Sequence, residues 1–149
     1  VHGRIRNRRD ARGRWHGRHG VEDCWGRSLW AFGTAARRAP EDSMRASAIS
    51  YFDHGSSQRS PHRRAMAFAA LGAVEVANHD QRHRRSRELL ADAIAVIGSP
   101  STSADWPWPE PRLSYANAAL PEALIAAGDV LIVIGSQEGR RRLEQRVAA

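Results

Sequence analysis

Ser60-Pro61-His62-Arg63-Arg64-Ala65-Met66-Ala67-Phe68-Ala69-Ala70-Leu71-Gly72 reads as the start and body of a helix. A serine can cap the free amide groups of a first turn, and proline is tolerated there because its missing N–H would have had no intrahelical partner. Ala67, Phe68, Leu71 and Val74 follow a 3.6-residue period, which predicts one buried face. Outward from this stretch the same ending recurs. Leu29-Trp30-Ala31-Phe32-Gly33 closes 39 residues upstream, and Ile125-Ala126-Ala127-Gly128 closes 56 residues downstream. Such intervals suit stacked helical hairpins, in which small residues let helices approach and each hairpin needs neighbours to bury its faces. Alanine-rich helices ending on glycine also occur outside any repeat, and that plainer account stays open.

The remaining periodicity predicts four more helices. One starts near Asp23 and carries Trp25, Leu29, Phe32 and Ala36 on one face before stopping ahead of Pro40. The next runs from about Glu41, with Met44, Ala48, Ile49 and Phe52 as its stripe, to the turn His54-Gly55-Ser56-Ser57. Another, capped by Asp80, presents Leu90, Ala93, Ile94 and Ile97 and ends at Gly98-Ser99-Pro100. The last spans about Leu113 to Ala127 with Gly128 as its cap; Pro121 inside it predicts a kink or a fresh start at Leu120-Pro121. The expected fold is all-α: antiparallel hairpins forming part of an α/α toroid. Residues 1–22 form a basic arm or loop, and residues 23–149 an incomplete helical-hairpin domain.

Composition agrees with one folded domain. The chain has 149 residues, 42% apolar and 26% charged, which excludes the weakly apolar, highly charged class of disordered chains. The net charge of +7 is a terminal property: residues 1–20 hold seven arginines against the single acid Asp10. All 23 basic residues are arginine, a bias expected of GC-rich coding. The nearly neutral remainder gives little reason to expect a nucleic-acid partner, which leaves the arm as the only route to one. A single cysteine, Cys24, closes no intrachain disulfide and points to a reducing, cytoplasmic setting. The longest apolar run, Val130 to Ile134, is far below the ~20 residues of a membrane span, and no apolar stretch of signal-peptide length follows the basic N-terminus. No membrane partner and no cofactor are expected. The chain begins at Val1 rather than Met, so a fragment of a longer protein is the expectation.

Chemistry concentrates between Ser103 and Arg112, where Asp105-Trp106-Pro107-Trp108-Pro109-Glu110-Pro111-Arg112 combines two tryptophans with three prolines. Prolines lower the entropy cost of holding one loop shape. A tryptophan pair on such a loop either plugs the core or stacks on a flat ligand such as a sugar ring. Asp105, Glu110 and Arg112 suit hydroxyl groups, and a carboxylate pair suits acid/base work. Tyr115 and Asn117 follow closely; Tyr115 and Glu122 would share a face of an unbroken helix. Glu22 and Asp23 are the partner carboxylates for Glu110, with helix capping as their simpler role. His79 and His83 have a metal-compatible spacing, but the surrounding arginines oppose a cation and no third ligand is evident, so no metal is expected. No histidine arrangement marks Cys24 as a nucleophile.

Three segments carry a family resemblance: Val21 to Thr34, Ser60 to Gly72, and Trp106 to Gly128. Across about residues 5–128 the chain resembles bacterial proteins with a six-hairpin, α/α-toroid glycosidase-like domain, often labelled glycosyltransferases in actinobacteria. The resemblance implies a carbohydrate-facing rim where the inner helices begin, with Asp23 and the Trp106–Glu110 loop sharing it and Tyr115 and Asn117 just inside. It fixes no catalytic residues. Two departures stand out: half of a six-hairpin ring is missing, and Asp129-Val-Leu-Ile-Val-Ile-Gly135 is β-like where a helix should follow, as a truncation or frameshift would produce.

The expected function is a carbohydrate-active domain, glycosyltransferase- or glycosidase-like. Asp23, Glu110 and Asp105 are its candidate catalytic carboxylates; Trp106, Trp108, Arg112, Tyr115 and Asn117 would bind the sugar. The alternatives are a helical scaffold that associates with proteins through unpaired hairpin faces, and nucleic-acid binding through the arginine arm.

Overall fold

Gly33 and Gly72 meet backbone to backbone. The computed structural model describes residues 2–98, 103, 105–106, 108–113 and 115–131. Among these, α1 (Asp23–Arg38), α2 (Asp42–Gly55), α3 (Arg63–His79) and α4 (Arg84–Ile97) are followed by α5 over residues 119–131. The fold is all-α apart from a two-stranded ribbon ahead of α1. A Cβ built on Gly33 would lie 2.1 Å from the Gly72 carbonyl oxygen, and one on Gly26 would lie 2.2 Å from that of Ala65. Both pairs hold the 39-residue offset, so α1 and α3 run parallel with their backbones in contact. The first sequence interval is therefore a physical register. The second is not: Gly128 sits inside α5, and an added Cβ there would meet nothing within 4 Å among the described residues.

α2 returns antiparallel to α1. The indole N–H of Trp25, near the start of α1, donates to the Gly55 carbonyl at the end of α2 at 3.0 Å, and Phe32 stacks on Tyr51 at 5.3 Å. α4 then returns along α3. At the near end Arg64 of α3 bonds the chain entering α5; at the far end Val74 and Ala77 share a crevice with Ala126 and Val130. Hence α1, α3 and α5 all begin at one end of the molecule.

This arrangement explains why α3 has no single buried stripe. Flanked by α1 and α4, it is buried without interruption from Ala65 to Ala73, which an alanine-rich helix permits. Trp25, Leu29, Phe52, Met66, Leu89, Leu90 and Leu120 fill the rest of the core. On α2, Ala48 and Phe52 are buried and Ile49 half-buried, but Met44 is 51% exposed and leaves the expected stripe.

The starts of α3 and α4 differ from the sequence expectation because a side chain closes a turn ahead of each helix, and α5 takes the fresh start near Leu120-Pro121 that the sequence offered as one alternative. Ser60 is buried and its Oγ accepts from the His62 N–H at 3.1 Å, so α3 begins only at Arg63. Asp80 accepts from the Arg82 N–H, and the α4 cap is His83, whose Nδ1 accepts from the Ser86 N–H at 3.2 Å. α5 starts at 119 rather than near Leu113, which places Pro121 in its first turn and removes the conflict. Ala116 has a φ of 54°, so Tyr115 and Glu122 do not share a helical face. Gly128 does not cap α5, which continues through residue 131. Of the β-like run, residues 129–131 are helical. Residues 132–135, like Ser99, Pro100 and Pro107, lie outside the described residues.

The N-terminal segment folds as a ribbon. β1 (Arg8–Arg9) pairs antiparallel with β2 (Trp15–His16), and Ile5 bridges Gly20 below them. Asp10 knits the turn by accepting from the N–H groups of Arg12 and Arg14 at 2.9 Å each. The Gly3 N–H donates to His54 Nε2 at 3.0 Å and ties the ribbon to α2.

Candidate functional site

Because α1, α3 and α5 begin at one end, three distant segments deliver side chains to one cleft of ≈ 480 Å³. Glu22, Asp23 and Cys24 come from the start of α1, Pro61 to Arg64 from the start of α3, and Glu110 and Tyr115 from the chain entering α5; Asn7 of the ribbon closes one side. The volume is in the range of small-molecule sites.

Arg64 organises the rim. Its guanidinium donates to the Glu110 carboxylate, to the Tyr115 carbonyl at 2.8 Å and to Asn117 Oδ1 at 3.3 Å. Arg64 and Glu110 are each 17% exposed at the side chain, so water screens this pair far less than a surface bridge. Arg63 donates to the Pro109 carbonyl, and the Trp106 indole N–H donates to the Glu110 carbonyl at 2.6 Å. Together these bonds latch the tryptophan loop to the start of α3. The Tyr115 ring is 56% exposed and has the guanidinium carbons of Arg64 and Arg27 at 5.3 and 5.8 Å from its centre. Cations at that range brace the ring through its quadrupole.

The two partner carboxylates differ in kind. Glu110 is held by a cation. Asp23 sits in the first turn of α1, where the helix dipole favours its charge. One of its oxygens, Oδ2, is shielded from solvent and has no hydrogen-bond partner among the described residues. An acceptor in that state is ready for a donor such as a hydroxyl group. Glu22 is exposed and makes no side-chain cap bond.

The cleft gathers Asp23, Glu110 and Tyr115, with Asn117 behind Arg64. It does not gather the whole loop. Asp105 and Arg112 are exposed and line no part of it; Trp106 is 38% exposed outside it, and Trp108 is half-buried with an indole N–H that has no partner among the described residues. Cys24 is a half-buried free thiol. No group of three metal-ligating side chains occurs among the described residues; His83 uses Nδ1 as a cap and places Nε2 3.1 Å from Asp53 Oδ1.

Arg63 and Arg64 escaped the sequence reading. Their signal was present in the 39-residue register, which carries Cys24 and Trp25 onto Arg63 and Arg64 and so places both on the same rim as Asp23. Arg27 carried no comparable signal, since its ring contacts come from α3 and the entry to α5.

No family model, no curated protein and no solved structure matches the chain.

Proposed function

We propose that this chain is a carbohydrate-binding helical domain whose ligand occupies the cleft where α1, α3 and α5 begin. The observation that carries the reading is the convergence itself. Among the described residues, the starts of three helices, from the three segments that resemble six-hairpin glycosidase-like proteins, supply every lining residue but Asn7. The chemistry suits a polyol: the shielded oxygen of Asp23 accepts from a hydroxyl, and the exposed face of Tyr115 stacks on a sugar ring. Asp23 is the acid/base candidate if the domain turns its ligand over, whether by transfer or hydrolysis. Glu110 positions Arg64 and the loop. Trp106 and Trp108 then shape that loop rather than line the cleft.

The lone thiol of Cys24 fits a reducing, cytoplasmic setting, and no described helix is long and apolar enough to cross a membrane. The reading is tested by calorimetric titration with a panel of neutral mono- and disaccharides. At least one should bind saturably, Tyr115→Ala should weaken it about 5- to 10-fold, and Asp23→Asn should weaken it further while lowering stability only by the small loss of its interaction with the α1 dipole. A panel without saturable heat, or equal affinities in all three proteins, would sink the proposal.

A further inference from the structure

The start of the ribbon is held by a bond that a proton can cancel. Gly3, buried and at a φ of 77°, donates its N–H to Nε2 of His54 in the last turn of α2 at 3.0 Å. A Cβ on Gly3 would collide with the His54 carbonyl oxygen, so the ribbon sits directly on the end of α2. Four residues on, Asn7 lines the rim cleft together with Asp23 and Cys24. We propose that the ribbon is a flap on the rim cleft, latched by the bond from Gly3 to His54 and released when the His54 imidazole takes up a proton.

An imidazole nitrogen accepts a hydrogen bond through the same lone pair that takes a proton. Latch and proton therefore compete for Nε2, and acid favours the released ribbon. A proton on Nε2 would also face the Gly3 N–H with a second donor and leave that buried group without an acceptor, which shifts the balance toward release by about 10- to 100-fold. The C-terminal end of α2 favours a cation, so the ring can charge where it stands. No ion pair joins His54 to a carboxylate among the described residues. Asp53, its neighbour on α2, faces His83 of α4 at 3.1 Å, and Arg85 of α4 donates to the Asp53 carbonyl. The ribbon places His2 and Arg4 on either side of Gly3, and the turn after α2 brings Ser57, Gln58 and Arg59, the last held by Asp92. His83 is the contrast: its Nδ1 also accepts a backbone N–H, from Ser86, but the Asp53 carboxylate beside its Nε2 suits the ring in either charge state.

Release moves the ribbon as one piece. The pairing of β1 with β2 and the bonds from the Arg12 and Arg14 N–H groups to Asp10 hold its turn without His54. Two further anchors, the exposed bond from Arg4 Nε to Gln58 Oε1 at 3.3 Å and the half-buried Ile5, set the docked position, and neither depends on the His54 ring. The chain passes through Gly20 and Glu22 directly into α1, so a freed ribbon pivots there and draws Asn7 off the cleft.

The latch can be observed without a ligand, so its failure is separate from failure of the sugar reading. The test is ¹⁵N NMR of the full chain between about pH 8 and about pH 5, where imidazoles change charge. The Gly3 and Ile5 amides should titrate together with the His54 ring protons, while the Trp25 indole, bonded to Gly55 at the same end of α2, holds its position. His54→Gln keeps an uncharged acceptor and should hold both amides in place throughout; His54→Ala should show the released positions at every pH. Reaction of Cys24 with a neutral disulfide reagent reads the cleft: at about pH 5 it should run about 10-fold faster in the wild type than in His54→Gln, with equal rates at about pH 8. Melting curves establish that each variant is folded, and His54→Gln decides the matter if His54→Ala is not. A Gly3 amide that moves in His54→Gln as it does in the wild type overturns the proposal, because another group would then be the sensor. So does a Gly3 amide that stays in place in the wild type, or a Cys24 rate equal in wild type and His54→Gln at about pH 5.

Discussion

Replacing Gly33 by alanine should destabilise this protein, although the same change in an ordinary helix interior stabilises by up to about 1 kcal/mol. The added methyl would stand 2.1 Å from the Gly72 carbonyl oxygen, where ordinary contact begins near 3.4 Å, so α1 and α3 would have to part by about 1.3 Å. The obstacle is backbone on both sides and cannot swing away as a side chain would. Overpacking of this kind costs about 3 kcal/mol at the upper end of its usual range, and subtracting the propensity gain leaves a net loss of about 2 kcal/mol. Gly72→Ala meets the Leu29 carbonyl oxygen at 2.3 Å and should cost a similar amount. The two sites share one gap, so once the helices have parted the second methyl costs less. The double variant should therefore fall short of the sum of the singles by about 1 kcal/mol or more. Equilibrium urea unfolding of the four proteins measures this cycle, with Gly128→Ala as the control, since that Cβ meets nothing within 4 Å among the described residues and should be neutral or stabilising. If Gly33→Ala were as stable as Gly128→Ala, or the two single costs simply added, the backbone contact between α1 and α3 would not exist as described.

Arg64→Ala should leave Glu110 without its cation and release the chain at Tyr115 and Asn117; a loss of about 2–3 kcal/mol is expected, somewhat below that of a fully buried pair. Adding Glu110→Ala should recover part of it in the same unfolding assay, whereas further destabilisation would argue against the pairing. Acid should melt the ribbon before the helices. Asp10 is held below the usual aspartate value first by its bond to His16 and then by the Arg14 N–H, so its contribution is complete above about pH 4 and disappears as pH falls through the lowered value. Amide shifts of Arg12 and Arg14 should therefore change below pH 4 while the Trp25 indole signal holds, and simultaneous loss of all three would contradict that order.

Much of this architecture was legible because helical periodicity is local. Trp25, Leu29 and Ala36 on α1, and Leu90, Ala93 and Ile97 on α4, occupy the faces their spacing implies. The misjudged positions are those where a distant partner or a turn decides the outcome. Met44 follows its helix's period but emerges into solvent. Ser60 and Asp80 have the right chemistry for caps and use it one turn early. The arginine-rich start has no apolar period, yet its ribbon is specified by Asp10 accepting from two backbone groups, a pattern composition does not display. On the rim, Asp23, Glu110 and Tyr115 were accessible from residue type and position. Arg64 was not, because its three partners lie 46 to 53 residues away and only the 39-residue register pointed to its place on the rim. Trp106 and Trp108 drew notice by composition, which cannot tell a tryptophan that shapes a loop from one that faces a ligand.

The most direct test of the account is a ¹⁵N-resolved NMR titration of the chain with the tightest sugar of the calorimetric panel. The account predicts saturable shift changes confined to the rim, at Asp23, Cys24, His62, Arg64 and Tyr115, with the far ends of α3 and α5 around Val74 and Ala126 unmoved. Changes centred on those far ends or on the ribbon, with the rim silent at saturation, would contradict it.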